Sequence, residues 1–307
     1  MLGNYVEQIL NIIDSDNSKH ATKIRRNIIE LGDDYIIKSN SFFKKYVDYL
    51  ERNNKTLNYG VHCYLKMIND MLIERIEFIR NGCYSSSSFV EVENRVYANP
   101  DIMKYHMHGL VIAQFLWIDQ FKRLLFFSEN IKKYLKKSGK YLEIGGGHGL
   151  YINETINNFP NLTNNDLVDI SSSSLELAKG IINNSKVNYI HKNIFDFDIK
   201  ENTYNFITMG EVLEHVEDPL SLLKKLHELL DINGVCYVTT PINAPMIDHI
   251  YLFNDASEIR NLFRASGFEI LQESIVASDN KSEEYAKRTK LPVMYAAFLK
   301  KNNYNKK

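Results

Sequence analysis

The sequence has few cysteines, no surplus of charge of either sign and no long apolar run. Its three cysteines, Cys63, Cys83 and Cys236, lack metal-site spacing, and so sparse a set is typical of proteins in the reducing cytosol. The 37 basic and 38 acidic residues leave a net charge of −1, which argues against a nucleic acid as the main partner. No apolar run reaches the roughly 18 residues of a membrane span, and residues 1–10 lack the cationic start of a signal peptide. We therefore predict a cytoplasmic globular protein without a membrane span.

Residues 1 to about 137 carry apolar side chains at helical spacing. The apolar positions from Leu65 to Ile79 recur every three or four residues and end before Gly82, a predicted helix C-cap. Pro100 is predicted to open another helix, and Leu110–Phe127 is predicted to be a single, strongly apolar helix. We predict an all-helical domain over residues 1–137 that serves as a lid, a substrate-binding unit or an oligomerisation unit, with a homodimer as one candidate assembly.

From residue 140 the pattern changes to strands that alternate with helices. The predicted strands are Tyr141–Ile144, Asp166–Ile170, Val187–His191, Tyr204–Met209, Val235–Thr239, Phe268–Val276 and Val293–Leu299. The predicted helices are Tyr151–Asn158, Ser172–Asn183, Pro219–Leu230 with a stop at Asn233-Gly234, and Asp255–Ser266. Such alternation predicts an α/β fold, with a mainly parallel sheet and helices on both of its faces.

A glycine-rich turn follows the first predicted strand. Gly145, Gly147 and Gly149 stand at alternate positions, where they let the backbone turn sharply and let a ligand lie against the main chain. The amides at the start of the next helix would face that ligand. A dinucleotide turn would need glycine or alanine at position 150, where this chain has Leu150. The turn therefore indicates a nucleotide-like ligand other than a nicotinamide dinucleotide.

The glycine turn and three later segments together resemble class I S-adenosylmethionine-dependent methyltransferases. Glu143 and the three glycines fit E-x-G-x-G-x-G, motif I of that family. Asp169 ends the second strand, where a carboxylate can accept hydrogen bonds from both ribose hydroxyls, and Asn193 stands where the family often has an acid that holds the adenine amino group. The segment Glu211–Val216, E-V-L-E-H-V, is similar to the signature of the UbiG-like, type 11 branch.

The resemblance covers residues 140–300 and implies a fold and a cofactor. It implies a Rossmann-like, seven-stranded sheet, mostly parallel with an antiparallel last strand, in a catalytic domain over residues 138–307. The implied cofactor is S-adenosyl-L-methionine. The residues expected to hold it are Glu143, Gly145, Gly147, Gly149, Asp169, Ile170, Asn193, Ile194 and Gly210.

Three residues of the E-V-L-E-H-V segment would share one face of a helix that began there. Glu211, Glu214 and His215 have i, i+3, i+4 spacing, and His249 follows in the loop after the fifth strand. They could supply a general base, or hold a divalent metal as in some RNA 2′-O-methyltransferases and some UbiG-like enzymes, or fix the turn by hydrogen bonds. The predicted catalytic residues are His249, His215 and Glu211. The predicted substrate contacts are His148, Asn243, Asp248 and Tyr251, whereas His106 and His108 are predicted to be core or surface histidines.

These observations predict methyl transfer from S-adenosyl-L-methionine to an oxygen or nitrogen of a small molecule, such as a secondary metabolite or a cofactor precursor. The helical domain and the near-neutral charge favour a small acceptor over a macromolecule. One alternative is a metal-assisted RNA 2′-O-methyltransferase, and another is a cofactor-binding subunit without catalytic activity.

Overall fold

The first half of the protein is helical. The computed structural model describes residues 3–136, 138–197 and 203–302. Its first seven helices are α1 (Asn4–Asp16), α2 (Ser18–Ile28), α3 (Gly32–Arg52), α4 (Leu57–Asn81), α5 (Phe89–Val92), α6 (Pro100–Leu116) and α7 (Ile118–Tyr134), with a π-helical turn at Glu93–Tyr97. The prediction of a helical N-terminal region is confirmed, because the described residues before Lys140 contain no strand.

The second half is a seven-stranded sheet with helices between its strands. The strands are β1 (Lys140–Ile144), β2 (Asn164–Asp169), β3 (Val187–His191), β4 (Tyr204–Gly210), β5 (Leu230–Ile242), β6 (Phe268–Ala277) and β7 (Val293–Lys301). The helices are α8 (Leu150–Asn158), α9 (Ser172–Ile182), α10 (Pro219–Leu229), α11 (Ala256–Ala265) and α12 (Glu283–Thr289). The strand order is β3-β2-β1-β4-β5-β7-β6, with β7 antiparallel to both of its neighbours. The predicted fold class is confirmed.

Local cap chemistry explains several helix boundaries. Gly82 ends α4 in the left-handed region at φ 75°, which a glycine adopts without the steric cost that a Cβ brings. The Asn99 side chain accepts hydrogen bonds from the first amides of α6, directly before Pro100. Asp255 caps α11 in the same way. The predicted C-cap at Gly82 and the predicted helix start at Pro100 are confirmed.

Two predicted helices differ from the structure. Leu110–Phe127 is not a single helix, because Trp117 has extended backbone angles (φ −99°, ψ 120°) and separates α6 from α7. The Trp117 indole instead donates a hydrogen bond to the Tyr64 hydroxyl, 3.1 Å away. The helix predicted to run to Asn233-Gly234 ends at Leu229, and the chain enters β5 at Leu230, where it pairs with Tyr204.

The helical half and the sheet share a hydrophobic core. One cluster of buried side chains runs from Val6 in α1 to Phe298 in β7. At its centre, the Phe127 ring of α7 lies 5.0 Å from the rings of both Tyr151 and Tyr237. The division into domains at residues 137 and 138 therefore stays a prediction, and residue 137 itself lies outside the described part. In the described ranges, no helix is both long and apolar enough to cross a membrane.

Candidate active site

A cavity of about 840 Å³ opens at the carboxyl ends of the central strands. It lies beside β1 and β4, where the order of the strands reverses direction and where open α/β sheets bind their ligands. Residues of β1, β2 and β4 form one end of the cavity, and residues of α2, α4, α6 and α7 form the other. The cavity therefore joins the glycine turn to the helical half.

The glycine turn has backbone angles that favour glycine. Gly145, Gly147 and Gly149 all have positive φ, at 63°, 52° and 74°. A Cβ on Gly147 would meet only Met107 Cε among the described atoms, at 3.4 Å, so this position faces open space in the cavity. Gly149 lies off the cavity wall. A Cβ there would stand 2.4 Å from Ile182 Cδ1, so Gly149 allows α8 to pack against α9.

Two buried carboxylates stabilise the backbone around the turn. Glu143 accepts hydrogen bonds from the Ile152 amide and the Tyr141 hydroxyl, and burial raises its pKa to about 8. Asp169 accepts from the Gly147 amide at 3.0 Å through Oδ2 and from the Ser171 amide at 2.8 Å through Oδ1. Both carboxylates line the cavity. Since each Asp169 oxygen makes one of these bonds, each retains acceptor capacity for a ligand hydroxyl.

Apolar side chains that follow β2 and β3 line the cavity and could pack against a flat ring. Ile170 is 44% exposed and Phe195 is 47% exposed, although both border the cavity with Ile194. The Asn193 side-chain oxygen accepts a hydrogen bond from the Phe195 amide at 3.0 Å and so shapes the turn after β3. Ile170, Asn193, Ile194 and Gly210, which are predicted cofactor contacts, all line the cavity.

A buried ion pair connects the helical half to the end of β4. The Arg123 guanidinium of α7 contacts the Glu211 carboxylate, and it lies 3.4 Å from Thr239 Oγ1. Burial alone would lower the pKa of Arg123, but the Glu211 carboxylate raises it, so the guanidinium stays charged. Glu211 has a φ of 56° and precedes a short 3₁₀ turn at Leu213–His215, so the predicted face shared with Glu214 and His215 does not form.

Three side chains, which we call the His–Glu cluster, converge behind this ion pair. They are Glu214, His215 and His249, and their candidate ligand atoms all lie within 4.8 Å of one another. The rings of His215 and His249 are 4.9 Å apart at 86°. Glu214 is fully buried, and burial raises its pKa well above the usual range for a carboxylic acid. The predicted convergence of His249 with the E-V-L-E-H-V segment is present in the structure.

Asp248 lies at the centre of a group of polar residues beside the cluster. Its Oδ2 is 3.6 Å from His106 Nε2 and 3.6 Å from His215 Nδ1, and the Tyr97 hydroxyl is 3.2 Å from the same His215 nitrogen. Burial raises the pKa of Asp248, but the neighbouring imidazoles lower it more, to about 2. Asp248 and His106 both line the cavity, so His106 is not merely a core histidine, whereas His108 is buried against Tyr46 as predicted.

Of the other three predicted substrate residues, one lines the cavity and two do not. His148 lines the cavity beside the Phe42 ring, and burial lowers its pKa to about 4. Asn243 and Tyr251 lie off the cavity wall. The Asn243 side chain is 3.4 Å from the Asn254 carbonyl oxygen, and the Tyr251 amide donates to the Glu214 carbonyl while its ring packs on Phe253. These two residues hold the loop after β5 in place.

Three residues of the helical half reach the site although no sequence motif predicts them. Arg123, Tyr97 and His106 reach the site from α7, the π-helical turn and α6, across 88 to 142 positions of sequence separation. The one local signal was an arginine within a strongly apolar helix, which indicates a buried and therefore paired charge.

Comparisons with known proteins show that this chain is similar to methyltransferases. A family model described as a methyltransferase domain matches residues 114–273. Malonyl-[acyl-carrier protein] O-methyltransferase 1 of Ilyobacter polytropus is 31% identical over 100 residues, which cover 32% of this chain and 37% of that protein. The chain therefore spans little more than a third of the length of this curated relative.

Two solved structures share the fold. The mitomycin 7-O-methyltransferase matches 80% of this chain and 70% of its own, with 10% identity and a TM-score of 0.52. The plantazolicin methyltransferase, solved in complex with SAH (S-adenosylhomocysteine), matches 69% of this chain and 94% of its own, with 16% identity and a TM-score of 0.50. Identities this low show a common fold and nothing finer.

Proposed function

Because this chain belongs to the methyltransferase-domain family, we propose that it transfers the methyl group of S-adenosyl-L-methionine to an oxygen or nitrogen of a small, largely apolar molecule. The predicted family and cofactor are confirmed. The observation that carries the acceptor proposal is the continuous cavity. Its far end has an apolar wall from the helical half: Ile24, Ile68, Met71, Leu110 and Trp117.

The proposed reaction needs alignment of the two reactants and exclusion of water. A lone pair on the acceptor forms the new bond to the methyl carbon, while the electrons of the breaking carbon–sulfur bond remain on sulfur. The glycine turn and Asp169 would hold the cofactor, and α4, α6 and α7 would cover the acceptor. His249, His215 and Glu211 stay the proposed catalytic residues, since all three border the cavity between those two regions.

The charges at the cavity wall favour a small acceptor over an RNA substrate. The side chains that line it include eight acidic residues, of which Glu143 is largely protonated at pH 7 because burial raises its pKa to about 8. They also include four lysines or arginines, of which Arg123 is already paired with Glu211. A polyanion would meet an unfavourable potential at such a wall. A small acceptor, such as a secondary metabolite or a cofactor precursor, fits this wall better.

The predicted homodimer and the predicted cytoplasmic location stay predictions. Four apolar side chains on α4 support a contact between copies, because Leu72, Ile73, Ile76 and Ile79 are each more than half exposed. Sedimentation of the wild-type chain and of an Ile73→Lys/Ile76→Lys variant would test the homodimer. A monomeric wild type would contradict it.

Calorimetric titration and a turnover screen test the proposed function. Asp169→Asn should weaken S-adenosyl-L-methionine binding at least about tenfold, a change of about 1.4 kcal/mol. Asp166→Asn is the matched control, because Asp166 lies on the same strand and bonds to Tyr204 and Asn188 instead. Release of SAH is then measured with apolar alcohols, phenols and amines. Failure of the wild type to bind the cofactor contradicts the proposal, and binding without turnover on any acceptor favours a non-catalytic subunit.

A further inference from the structure

We propose that residues 278–292, which we call the β6–β7 flap, close a second mouth of the cavity, through which the acceptor enters while the cofactor stays bound. The inference rests on the proposed function, because it assumes that the acceptor occupies the far end of the cavity. The flap connects the antiparallel strands β6 and β7 and contains a 3₁₀ turn at Ser278–Asn280 and the helix α12. Four of its residues line the cavity: Ser278, Asp279, Leu291 and Pro292.

The cavity reaches the protein surface at both of its ends. Ile170 and Phe195, which line the cofactor end, are each nearly half exposed. At the far end, Leu72 is 56% exposed and the Lys23 side chain is 47% exposed, although both residues line the cavity. A bound cofactor would occupy the first opening. An acceptor that arrives after the cofactor therefore has to pass the far opening, which lies between α2, α4 and the flap.

The flap has a fixed base and a loosely packed outer part. At the base, the Ser278 amide donates a hydrogen bond to the Pro292 carbonyl oxygen at 2.9 Å. Among the described residues 281–290, eight are exposed and Ala286 alone is buried. A segment with so few buried apolar contacts opens locally at a lower free-energy cost than the strands of the sheet. The outer part can therefore move away from the cavity without disturbing the sheet.

Partly exposed polar contacts hold the flap against the helical half. Lys23 Nζ of α2 lies 2.7 Å from Asp279 Oδ2, and the Asn27 side-chain amide donates to Asp279 Oδ1 at 3.3 Å. The Arg75 guanidinium of α4 donates to the Thr289 carbonyl oxygen at 3.0 Å. Ion pairs and hydrogen bonds that remain open to water contribute little to stability, so these contacts can break and re-form as the flap moves.

The turn at the start of the flap has strained backbone angles that suit a hinge. Asp279 and Asn280 both have positive φ, at 58° and 55°, in the left-handed region that residues other than glycine seldom adopt. The Asn280 side chain accepts a hydrogen bond from Lys122 of α7 at 2.9 Å, and the Ser278 hydroxyl donates to Asp119. Such angles persist where the surrounding contacts impose them. Release of the contacts with α2 would therefore favour a change of the backbone angles at this turn.

Stopped-flow binding of a neutral apolar dye, N-phenyl-1-naphthylamine, to the full-length protein saturated with SAH tests the second mouth. Trp117, the only tryptophan of the chain, lines the far end of the cavity, so energy transfer from Trp117 reports the entry of the dye. We expect a binding rate that levels off at high dye concentration, because opening of the flap limits entry. The double variant Lys23→Gln/Arg75→Gln should raise that limiting rate at least about fivefold, since it removes contacts that hold the flap closed.

Lys44→Gln, which breaks the exposed pair of Lys44 with Asp48 in α3, is the matched control and should bind the dye as the wild type does. Absence of dye binding to the SAH complex, or a limiting rate that the double variant leaves unchanged, overturns the proposal. A protein that fails to bind SAH contradicts the proposed function, and the same rates measured without SAH then decide whether the flap controls the far mouth.

Amide hydrogen exchange over residues 281–290 separates local opening of the flap from general destabilisation. Faster exchange in this segment alone in the double variant supports the flap, whereas faster exchange throughout the chain overturns its role. Lys23→Gln alone replaces a double variant that fails to fold.

Discussion

At the scale of single residues, Arg123 forms the ion pair that joins α7 to the end of β4. It is buried, positively charged and paired with Glu211, so its removal leaves a carboxylate without its counter-ion at the cavity wall. The loss of one partner from such a pair typically costs about 3–5 kcal/mol. Because the Glu211 side chain is a quarter exposed, we expect the lower end of that range.

The Arg123→Met variant should accordingly lower the free energy of unfolding by about 3 kcal/mol in urea denaturation. A double variant with Glu211→Gln should recover part of the loss, because the unpaired charge is then removed as well. Arg80→Met, which breaks the exposed pair of Arg80 with Glu77, is the control and should cost less than about 1 kcal/mol. Equal losses in the free energy of unfolding for Arg80→Met and Arg123→Met would contradict the role of Arg123 as a buried, paired charge.

Gly147 offers a second prediction at the residue scale. Gly147→Ala and Gly82→Ala both place a Cβ at positive φ, so each should cost about 1 kcal/mol in stability. Only Gly147 faces the cavity, whereas no described atom comes within 4 Å of a Cβ at Gly82. We expect Gly147→Ala alone to reduce S-adenosyl-L-methionine affinity, by at least about tenfold in calorimetry. Unchanged affinity would place the cofactor away from the turn.

The site residues that the sequence predicted belong to short motifs, whereas those that it did not predict make contacts with residues distant in the sequence. Gly145 and Gly147 act through the backbone of their own turn, and Asp169 ends the neighbouring strand β2, so their types and spacing carry the information. Arg123 and Tyr97 act only because the helical half packs against β4 and the loop after β5. No local pattern records a contact across 88 residues, and their roles therefore emerged only from the fold.

At the scale of secondary-structure elements, α6 joins the helical core to the active site. It places His106 at the cavity and, two residues later, His108 against the Tyr46 hydroxyl of α3, at 2.7 Å. Burial lowers the pKa of His108 to about 3, and nearby Lys55 and Lys104 add to the effect. The folded protein therefore holds this imidazole neutral where the unfolded chain would protonate it.

The pH dependence of stability follows from that difference. A base whose pKa falls on folding stabilises the protein fully above its unfolded pKa of 6.5, and the stability is lost as the pH falls below that value. We expect the free energy of unfolding to be lower by about 2 kcal/mol at pH 5 than at pH 8 because of His108 alone. His108→Gln should remove that part of the slope, and exposed His62→Gln should keep it. Identical slopes in the two variants would refute this role.

The hydrophobic pattern of the sequence does not predict the break between α6 and α7. The segment from Leu110 to Phe127 is apolar almost throughout and contains neither glycine nor proline, so its pattern favours one continuous helix. The chain instead turns at Trp117, where the indole reaches the Tyr64 hydroxyl in α4. Tertiary contacts decided the boundary, and the turn lets α7 lie across the sheet with Arg123 pointing into the cavity.

At the scale of the whole molecule, the helical half and the sheet share a hydrophobic cluster. This cluster joins α1 to β7 and holds most buried side chains of the helical half, whereas a second cluster lies within residues 142–299. We therefore expect a single unfolding transition in urea, with coincident midpoints for Trp117 fluorescence in the helical half and for far-ultraviolet circular dichroism of the entire chain. Two separated transitions would show that residues before 137 fold as an independent domain.

We propose that the cavity beside β1 and β4 holds S-adenosylmethionine with its sulfur toward Glu211 and His215. The most direct test is a crystal structure of the protein with SAH. In that structure we expect ribose hydroxyls within hydrogen-bond distance of Asp169, the adenine ring beside Ile170 and Phe195, and the sulfur facing Glu211 and His215. Density for the ligand at any other place, or a ribose beyond hydrogen-bond distance of Asp169, would contradict it.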